Sequence, residues 1–193
     1  MRAGKIVPNL YIIIEMGSCH DGDLHRALKL VDLAASVGAS AIKAQYWSDP
    51  QAVATRLHSD AVGIYRKYRM PSSWLSILAA RAAERRLEFM CTVDLLEDLP
   101  TVAPYCHRLK IASWGATDFD FIRAHALWGK PLVISTGLCS AAETVRLRQA
   151  FPDAALLHCV SAYPAPLDQV NLDAINLRGL DGFSDHTGDV LTG

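Results

Sequence analysis

The sequence lacks several features that mark particular protein classes. Its five cysteines contain no Cys-x-x-Cys pair, and 19 basic residues against 20 acidic ones leave a net charge of −1. A chain so close to neutral lacks the electrostatic attraction on which general nucleic-acid binding depends, so no nucleic-acid partner is expected. An odd number of cysteines without such a pair predicts reduced thiols rather than a disulfide or zinc framework.

Long apolar runs are also missing. The apolar stretch 10–14 ends at Glu15, so it is too short for a membrane span. The residues on either side of it are not those of a signal peptide. No membrane partner is expected, and we predict a cytoplasmic location. What the sequence does have is apolar residues, 51% against 20% charged, and this excludes intrinsic disorder. We predict a single domain over residues 1–193.

Short apolar runs alternate with longer segments of helical period. Seven runs predict strands, at 11–15, 41–45, 89–92, 108–113, 132–135, 156–160 and 182–184. Four segments predict helices, at 24–37, 73–86, 118–128 and 141–151, and Asp23 is a suitable N-cap for the first. The alternation predicts an α/β fold with a parallel sheet. Without a glycine-rich dinucleotide motif or an evident second half, it favours a (β/α)8 TIM barrel, apparently incomplete, over a doubly wound sheet.

Polar residues follow several predicted strands, which indicates a site at the carboxyl-terminal edge of the sheet. In the second strand, the period of two places Lys43 and Gln45 on one face, and we expect that face to point into the barrel. Glu15 would lie opposite Lys43 on the first strand. A buried lysine is costly unless it meets an anion or a carboxylate. The pair is therefore either part of a functional site or a buried ion pair with a purely structural role.

A second interior lysine, Lys110, increases the need for negative charge. A small substrate with a carboxylate and a phosphate would supply it. Hydroxyl residues recur at successive strand ends and would donate to such an anion, although each alone is an ordinary strand-end cap: Thr92, Ser113, Ser135, Ser161 and Ser184.

Among the histidines, His186 is the best candidate for a metal ligand or catalytic group, because it follows the last predicted strand. Histidines in helical or loop contexts are interpreted as exposed to solvent: His25, His58, His107 and His125.

Six segments of the chain resemble the sialic acid synthase (N-acetylneuraminate synthase) family, from about residue 10 to 188 and in the family's order. They are IEMG at 14–17 with HDGDL at 20–24, GA at 38–39 with IKAQ at 42–45, KIAS at 110–113, GKP at 129–131 with STG at 135–137, LHCVSAYP at 157–164 with NL at 171–172, and GFSDHT at 182–187.

The resemblance implies a barrel enzyme that condenses phosphoenolpyruvate with the open-chain aldehyde of an N-acetylated aminosugar, forming a nonulosonic acid and releasing phosphate. It implies a divalent metal, Mn²⁺ or Mg²⁺, with His186 as a ligand, and a homodimer. Glu15 would be the acid/base, while Lys43 and Lys110 would hold phosphoenolpyruvate with the hydroxyls named above. Gln45 and Tyr163 would contact the sugar.

Departures from the family pattern leave alternatives open. Trp114-Gly115 stands where the family has glycine and an acidic residue, and the segment after Thr92 is shortened to Val93-Asp94. A complete barrel typically needs about 250 residues, so we expect the chain to be about one βα unit short, without the strand that carries the family's second metal histidine. The alternatives are an impaired or partner-dependent member that binds phosphoenolpyruvate without turnover, and a Schiff-base aldolase that uses Lys43 or Lys110.

Overall fold

One curved sheet of seven parallel strands organises residues 10–189, the part of the chain described by the computed structural model. The strands are β1 (Ile13–Gly17), β2 (Ala41–Tyr46), β3 (Glu88–Val93), β4 (Arg108–Ile111), β5 (Leu132–Ser135), β6 (Ala155–Cys159) and β7 (Gly182–Ser184). Each strand pairs with the next along the chain, so the order in the sheet is the order in the sequence. The sheet curls into part of a barrel, which confirms the predicted fold class. The predicted domain bounds at 1 and 193 lie outside the described residues.

Eight helices connect these strands within the described residues. They are α1 (Leu24–Ser36), α2 (Pro50–Arg56), α3 (Val62–Lys67), α4 (Ser73–Glu84), α5 (Leu99–Val102), α6 (Phe119–Ala126), α7 (Ala141–Ala150) and α8 (Asp173–Leu177). The four predicted helices correspond to α1, α4, α6 and α7. The other four were missed because segments of four to seven residues are too short for a helical period to be recognised. No helix in residues 10–189 has both the length and the apolar character to cross a membrane.

Two apolar layers lie on opposite faces of the sheet. Alternate strand residues such as Ile42 and Ala44 pack outward against the helices. On the inner face, Ala41, Met90 and Val133 form a small buried cluster at the amino-terminal side of the strands. Because side chains alternate along a strand, the inward residues that follow this cluster open onto the carboxyl-terminal edge.

The structure corrects two sequence predictions. β4 ends at Ile111 rather than at 113, because Ser113 begins a 3-10 turn in which its carbonyl accepts from the Ala116 N–H. His125 is fully buried rather than exposed; its Nδ1 lies 2.8 Å from the Phe121 carbonyl oxygen and its ring packs on the Phe121 ring. The other three histidines are exposed as predicted. The five cysteines are unpaired, and three of them are buried.

Candidate active site

A cavity of about 240 Å³ opens at the carboxyl-terminal edge of the strands. That volume is close to the lower end of the range for small-molecule sites, about 300 Å³. All eleven residues that the sequence pointed to line it: Glu15, Lys43, Gln45, Thr92, Lys110, Ser113, Ser135, Ser161, Tyr163, Ser184 and His186. Their placement together is a structural finding, whereas their individual roles remain predictions. Trp114 and Leu138 also line the cavity, and sequence reasoning did not assign them.

Glu15 and Lys43 form an ion pair across β1 and β2. The two residues are register partners, and Lys43 Nζ contacts Glu15 Oε2, as the strand parity predicted. Lys43 is buried and its Nζ also lies 3.3 Å from Thr92 Oγ1. The second carboxylate oxygen of Glu15 accepts from the Gly17 N–H at 2.8 Å. Since the Glu15 side chain is about half exposed, its carboxylate is accessible to a ligand in the cavity.

Lys110 is buried without a carboxylate partner among the described residues. Its Nζ donates to the Ile111 carbonyl and to Ser135 Oγ, both at 2.7 Å. Burial, followed by the positive charge of Lys43, lowers the pKa of Lys110 to about 7. An anion in the cavity would stabilise the charged ammonium, because an opposite charge at close range raises the pKa of a lysine. Within residues 10–189, Lys110 therefore has two hydrogen-bond acceptors but no ion-pair partner.

Gly137 brings a backbone N–H close to the serine hydroxyls of this edge. Its N–H donates to Ser113 Oγ at 3.2 Å. A Cβ at this position would lie 2.5 Å from Ser161 Oγ and 2.9 Å from the Cys159 carbonyl oxygen, so a side chain would displace its neighbours. Backbone N–H groups and hydroxyls of this kind bind anions well. The sequence did contain a signal for this residue, since STG at 135–137 follows a strand, but it was not assigned a role.

His186 and Tyr163 form a stacked pair at the other side of the cavity. Their ring centroids are 4.0 Å apart, and the Tyr163 hydroxyl lies 2.9 Å from His186 Nε2. His186 Nδ1 lies 2.8 Å from the Val160 carbonyl oxygen, an arrangement that places the imidazole proton on Nδ1, so that Nε2 accepts from the Tyr163 hydroxyl. Burial lowers the pKa of His186, which favours the neutral imidazole at neutral pH.

The side chains of the cavity provide only part of a ligand set for a metal ion. Nε2 of His186 is the unprotonated nitrogen that a metal ligand needs, but a metal there would replace the hydrogen bond from the Tyr163 hydroxyl. No group of three or more His, Cys, Asp or Glu side chains that could hold a metal ion occurs within residues 10–189. His186 is thus a candidate for one ligand, and the described part of the chain does not supply a full set.

The glycine at position 115 has a steric explanation. A Cβ there would lie 3.1 Å from Ile111 Cγ2 and 3.2 Å from two atoms of the Phe121 ring. A side chain at this position would therefore require the Phe121 ring or Ile111 to shift by a few tenths of an ångström.

Comparisons with known proteins agree on one family. The sequence model described as "NeuB family" matches residues 30–192. The chain is 31% identical to the spore coat polysaccharide biosynthesis protein SpsE of Bacillus subtilis, over 95% of this chain and 55% of that protein. It is 28% identical to a pseudaminic acid synthase of Campylobacter jejuni, over 92% of this chain and 59% of that protein.

Among solved structures, it is similar to an N-acetylneuraminic acid (sialic acid) synthetase from Leptospira borgpetersenii, in complex with citrate. The TM-score is 0.84 and the identity 29%, over 94% of this chain and 66% of that one. The chain spans 55% to 59% of the length of the two curated relatives named above.

Proposed function

Since the chain belongs to the NeuB family, we propose that its cavity serves the condensation of phosphoenolpyruvate with an aminosugar aldehyde, giving a nonulosonic acid of the sialic acid type and phosphate. The observation that carries the proposal is the pair of buried lysines, Lys43 and Lys110, beside one accessible carboxylate, Glu15. Relatives named as synthases of sialic, pseudaminic and legionaminic acids support the reaction class.

The charge distribution divides the cavity into an anion side and a carboxylate side. Lys110, the Gly137 N–H and the nearby serine hydroxyls provide donors, and Lys110 forms no ion pair among residues 10–189, so this side would take the phosphate or the carboxylate of phosphoenolpyruvate. Lys43 lies between this side and Glu15, where it would contact the second anionic group. Charge-assisted hydrogen bonds of this kind are about twice as strong as neutral ones.

In the proposed reaction, C3 of phosphoenolpyruvate attacks the aldehyde carbon, water adds at C2, and phosphate leaves with cleavage of the C–O bond. Glu15 would take the proton from the attacking water, because its carboxylate is the accessible base in the cavity. The Tyr163 hydroxyl and Gln45 would bind sugar hydroxyls at the mouth of the cavity.

We propose that the reaction uses Mn²⁺ or Mg²⁺. Such a cation, when bound, polarises an aldehyde oxygen as a Lewis acid. His186 Nε2 would be one of its ligands. The roles of Glu15, Lys43 and Lys110 given above are binding, orientation and proton transfer by the protein itself.

Phosphate release tests the proposal directly. The full chain is incubated with phosphoenolpyruvate, Mn²⁺ or Mg²⁺, and a panel of N-acetylmannosamine and related aminosugars, and phosphate is measured. We expect release with at least one sugar, and a loss of about a hundredfold or more in Glu15→Gln, as is typical when a general acid/base is removed. The variant is matched in shape and removes a negative charge beside Lys43, so its affinity for phosphoenolpyruvate should not fall; this binding measurement is the control.

Two other outcomes correspond to other functions. Tight phosphoenolpyruvate binding without phosphate release in the presence of any sugar would favour a member that is impaired or needs a partner. Covalent trapping of a keto acid on a lysine by borohydride would favour a Schiff-base aldolase, for which the lowered pKa of Lys110 is suited. We also propose a cytoplasmic homodimer that acts as one domain; sedimentation of the full chain measures its oligomeric state.

A further inference from the structure

The cavity has one wall that differs from the rest of its lining. Lysines, hydroxyls and a carboxylate form most of it, but two large apolar side chains, Trp114 and Leu138, also line the cavity. Trp114 follows β4 in the 3-10 turn Ser113–Gly115, and its ring is only partly buried. Because Trp114 lines the cavity and is not fully buried, part of its indole is available to a ligand.

Two charged side chains, Asp94 and Arg56, contact the indole of Trp114. Its Nε1–H donates to Asp94 Oδ1 at 3.0 Å, and Asp94 is buried. The guanidinium carbon of Arg56 lies 4.7 Å from the centroids of both the Trp114 and the Phe121 rings. Arg56 is fixed in turn by Asp118, with Nη2 3.1 Å from Oδ2. Three elements therefore contact the indole of Trp114: the end of α2 through Arg56, the loop after β3 through Asp94, and α6 through Phe121.

A tryptophan that only fills space would not require this arrangement. Burial raises the pKa of Asp94, which means that the carboxylate is kept in the interior at a cost in stability. The carboxylate accepts a hydrogen bond from the indole N–H of Trp114. Rigid support of this kind is typical of residues whose orientation decides which ligand fits.

We propose that Trp114 is a specificity-determining residue, whose ring forms with Leu138 the wall that takes the acyl group of an N-acylated acceptor sugar. The proposal rests on the proposed function, because that function defines the acceptor. The methyl of an acetamido group gains apolar contact against the indole. A hydroxyl in the same place would lose its water without a hydrogen-bond partner, which is unfavourable. Asp94 and Arg56 are positioning residues that act through Trp114.

Binding of unreactive acceptor analogues tests the wall without requiring turnover. The reduced, open-chain alditol of N-acetylmannosamine is compared with mannitol, which carries a hydroxyl in place of the acetamido group. Dissociation constants are measured by ligand-observed NMR on the full chain saturated with phosphoenolpyruvate. We expect wild type to favour the acetamido alditol by about tenfold to a hundredfold and Trp114→Ala to reduce the ratio to near one.

Two further variants make the result interpretable. Trp114→Phe keeps an aromatic face without the indole N–H, so it should retain part of the preference even if the alanine variant fails to fold. Trp128→Ala is the matched control, since Trp128 lies beyond the end of α6 and does not line the cavity, and it should leave the ratio unchanged. For Asp94→Asn, which keeps an acceptor oxygen, we expect preserved preference, and for Asp94→Leu a loss of preference with unchanged phosphoenolpyruvate affinity.

The outcomes separate this inference from the function on which it rests. If phosphoenolpyruvate binds but the alditol ratio is the same in wild type and in the Trp114 variants, the wall has no part in selection and the inference is wrong. If wild type shows no preference, the inference is equally wrong. If wild type does not bind phosphoenolpyruvate at all, the proposed function falls as well.

Discussion

Lys110 Nζ has two oxygen neighbours and no counter-ion in the described structure. At pH 8 most of this group is neutral in the free protein, because its pKa is about 7. A bound anion raises that pKa, so phosphoenolpyruvate binding at pH 8 should take up a proton. Calorimetry in buffers of different ionisation enthalpy measures this uptake, and we expect up to one proton per site.

The matched variants for this measurement are Lys110→Met and Lys130→Met. Lys130 donates to the Cys106 carbonyl and does not line the cavity, so its replacement should leave the proton uptake unchanged. Lys110→Met should abolish it. A binding enthalpy independent of the buffer in wild type would contradict the assignment of Lys110 to the anion.

Gly137 gives a steric prediction at the same scale. In Gly137→Ala the new Cβ would meet Ser161 Oγ at 2.5 Å and the Cys159 carbonyl at 2.9 Å, so the donors around the anion must shift. We expect phosphoenolpyruvate affinity to fall by about tenfold or more, which corresponds to about 1.4 kcal/mol. Gly63→Ala is the control, because a Cβ there meets no atom within 4 Å. Equal affinity in the two variants would show that Gly137 does not shape the anion site.

At the scale of elements, the long helices could be predicted from the sequence because their ends carry local signals. Asp23 caps α1 by accepting from the N–H groups of His25 and Arg26 at 2.7 and 3.3 Å. At α7, Ser140 and Glu143 form a reciprocal capping box. The short helix α2 also has an N-cap, Asp49, but its seven residues do not reveal an apolar stripe.

The cap of α1 gives a prediction about stability. Asp23→Ala removes the acceptor for two N–H groups, and we expect the free energy of unfolding to fall by about 1 kcal/mol. Asp23→Asn keeps a side-chain oxygen and should restore most of the loss. Urea denaturation of the three proteins at pH 7 measures the difference. An alanine variant as stable as wild type would mean that solvent replaces the cap without cost.

The site was predictable where it depends on strand parity and unpredictable where it depends on loops. The alternation of side chains along β2 predicted that Lys43 and Gln45 face the cavity, and both line it. The same alternation predicted that Ile42 and Ala44 face the helices, and both lie in the core on that side. Trp114 and Leu138 lie in turns after strands, where no period indicates direction. Their positions follow from long-range contacts such as Trp114 with Asp94, which a single sequence does not reveal.

For the molecule as a whole, the buried lysine couples stability to pH. The pKa of Lys110 is lowered from 10.5 in its ordinary state to about 7 in the fold. Between these values the unfolded chain binds more protons than the native one, so the stability of the apoprotein should rise with pH. Burial of Cys91 and Cys106 raises their thiol pKa, which acts in the opposite direction from about pH 9 upward.

The comparison with Lys110→Met isolates this contribution. We expect wild type to gain stability between pH 7 and 9 in urea denaturation, whereas the methionine variant should show a flatter profile. The difference between the two proteins should be largest at pH 7 and decrease toward pH 9, with the other titrating groups common to both. A difference that is constant over this interval would show that the burial of Lys110 does not lower its pKa.

The order of the seven strands also bears on how the chain folds. Because each strand pairs only with the next one along the chain, every sheet contact closes a loop of one βα repeat. The entropy lost in closing a loop grows with its length, and a fully closed barrel would add one very long closure between its first and last strands. Folding of residues 10–189 can therefore advance by adding one βα repeat at a time to a growing edge, without that long closure.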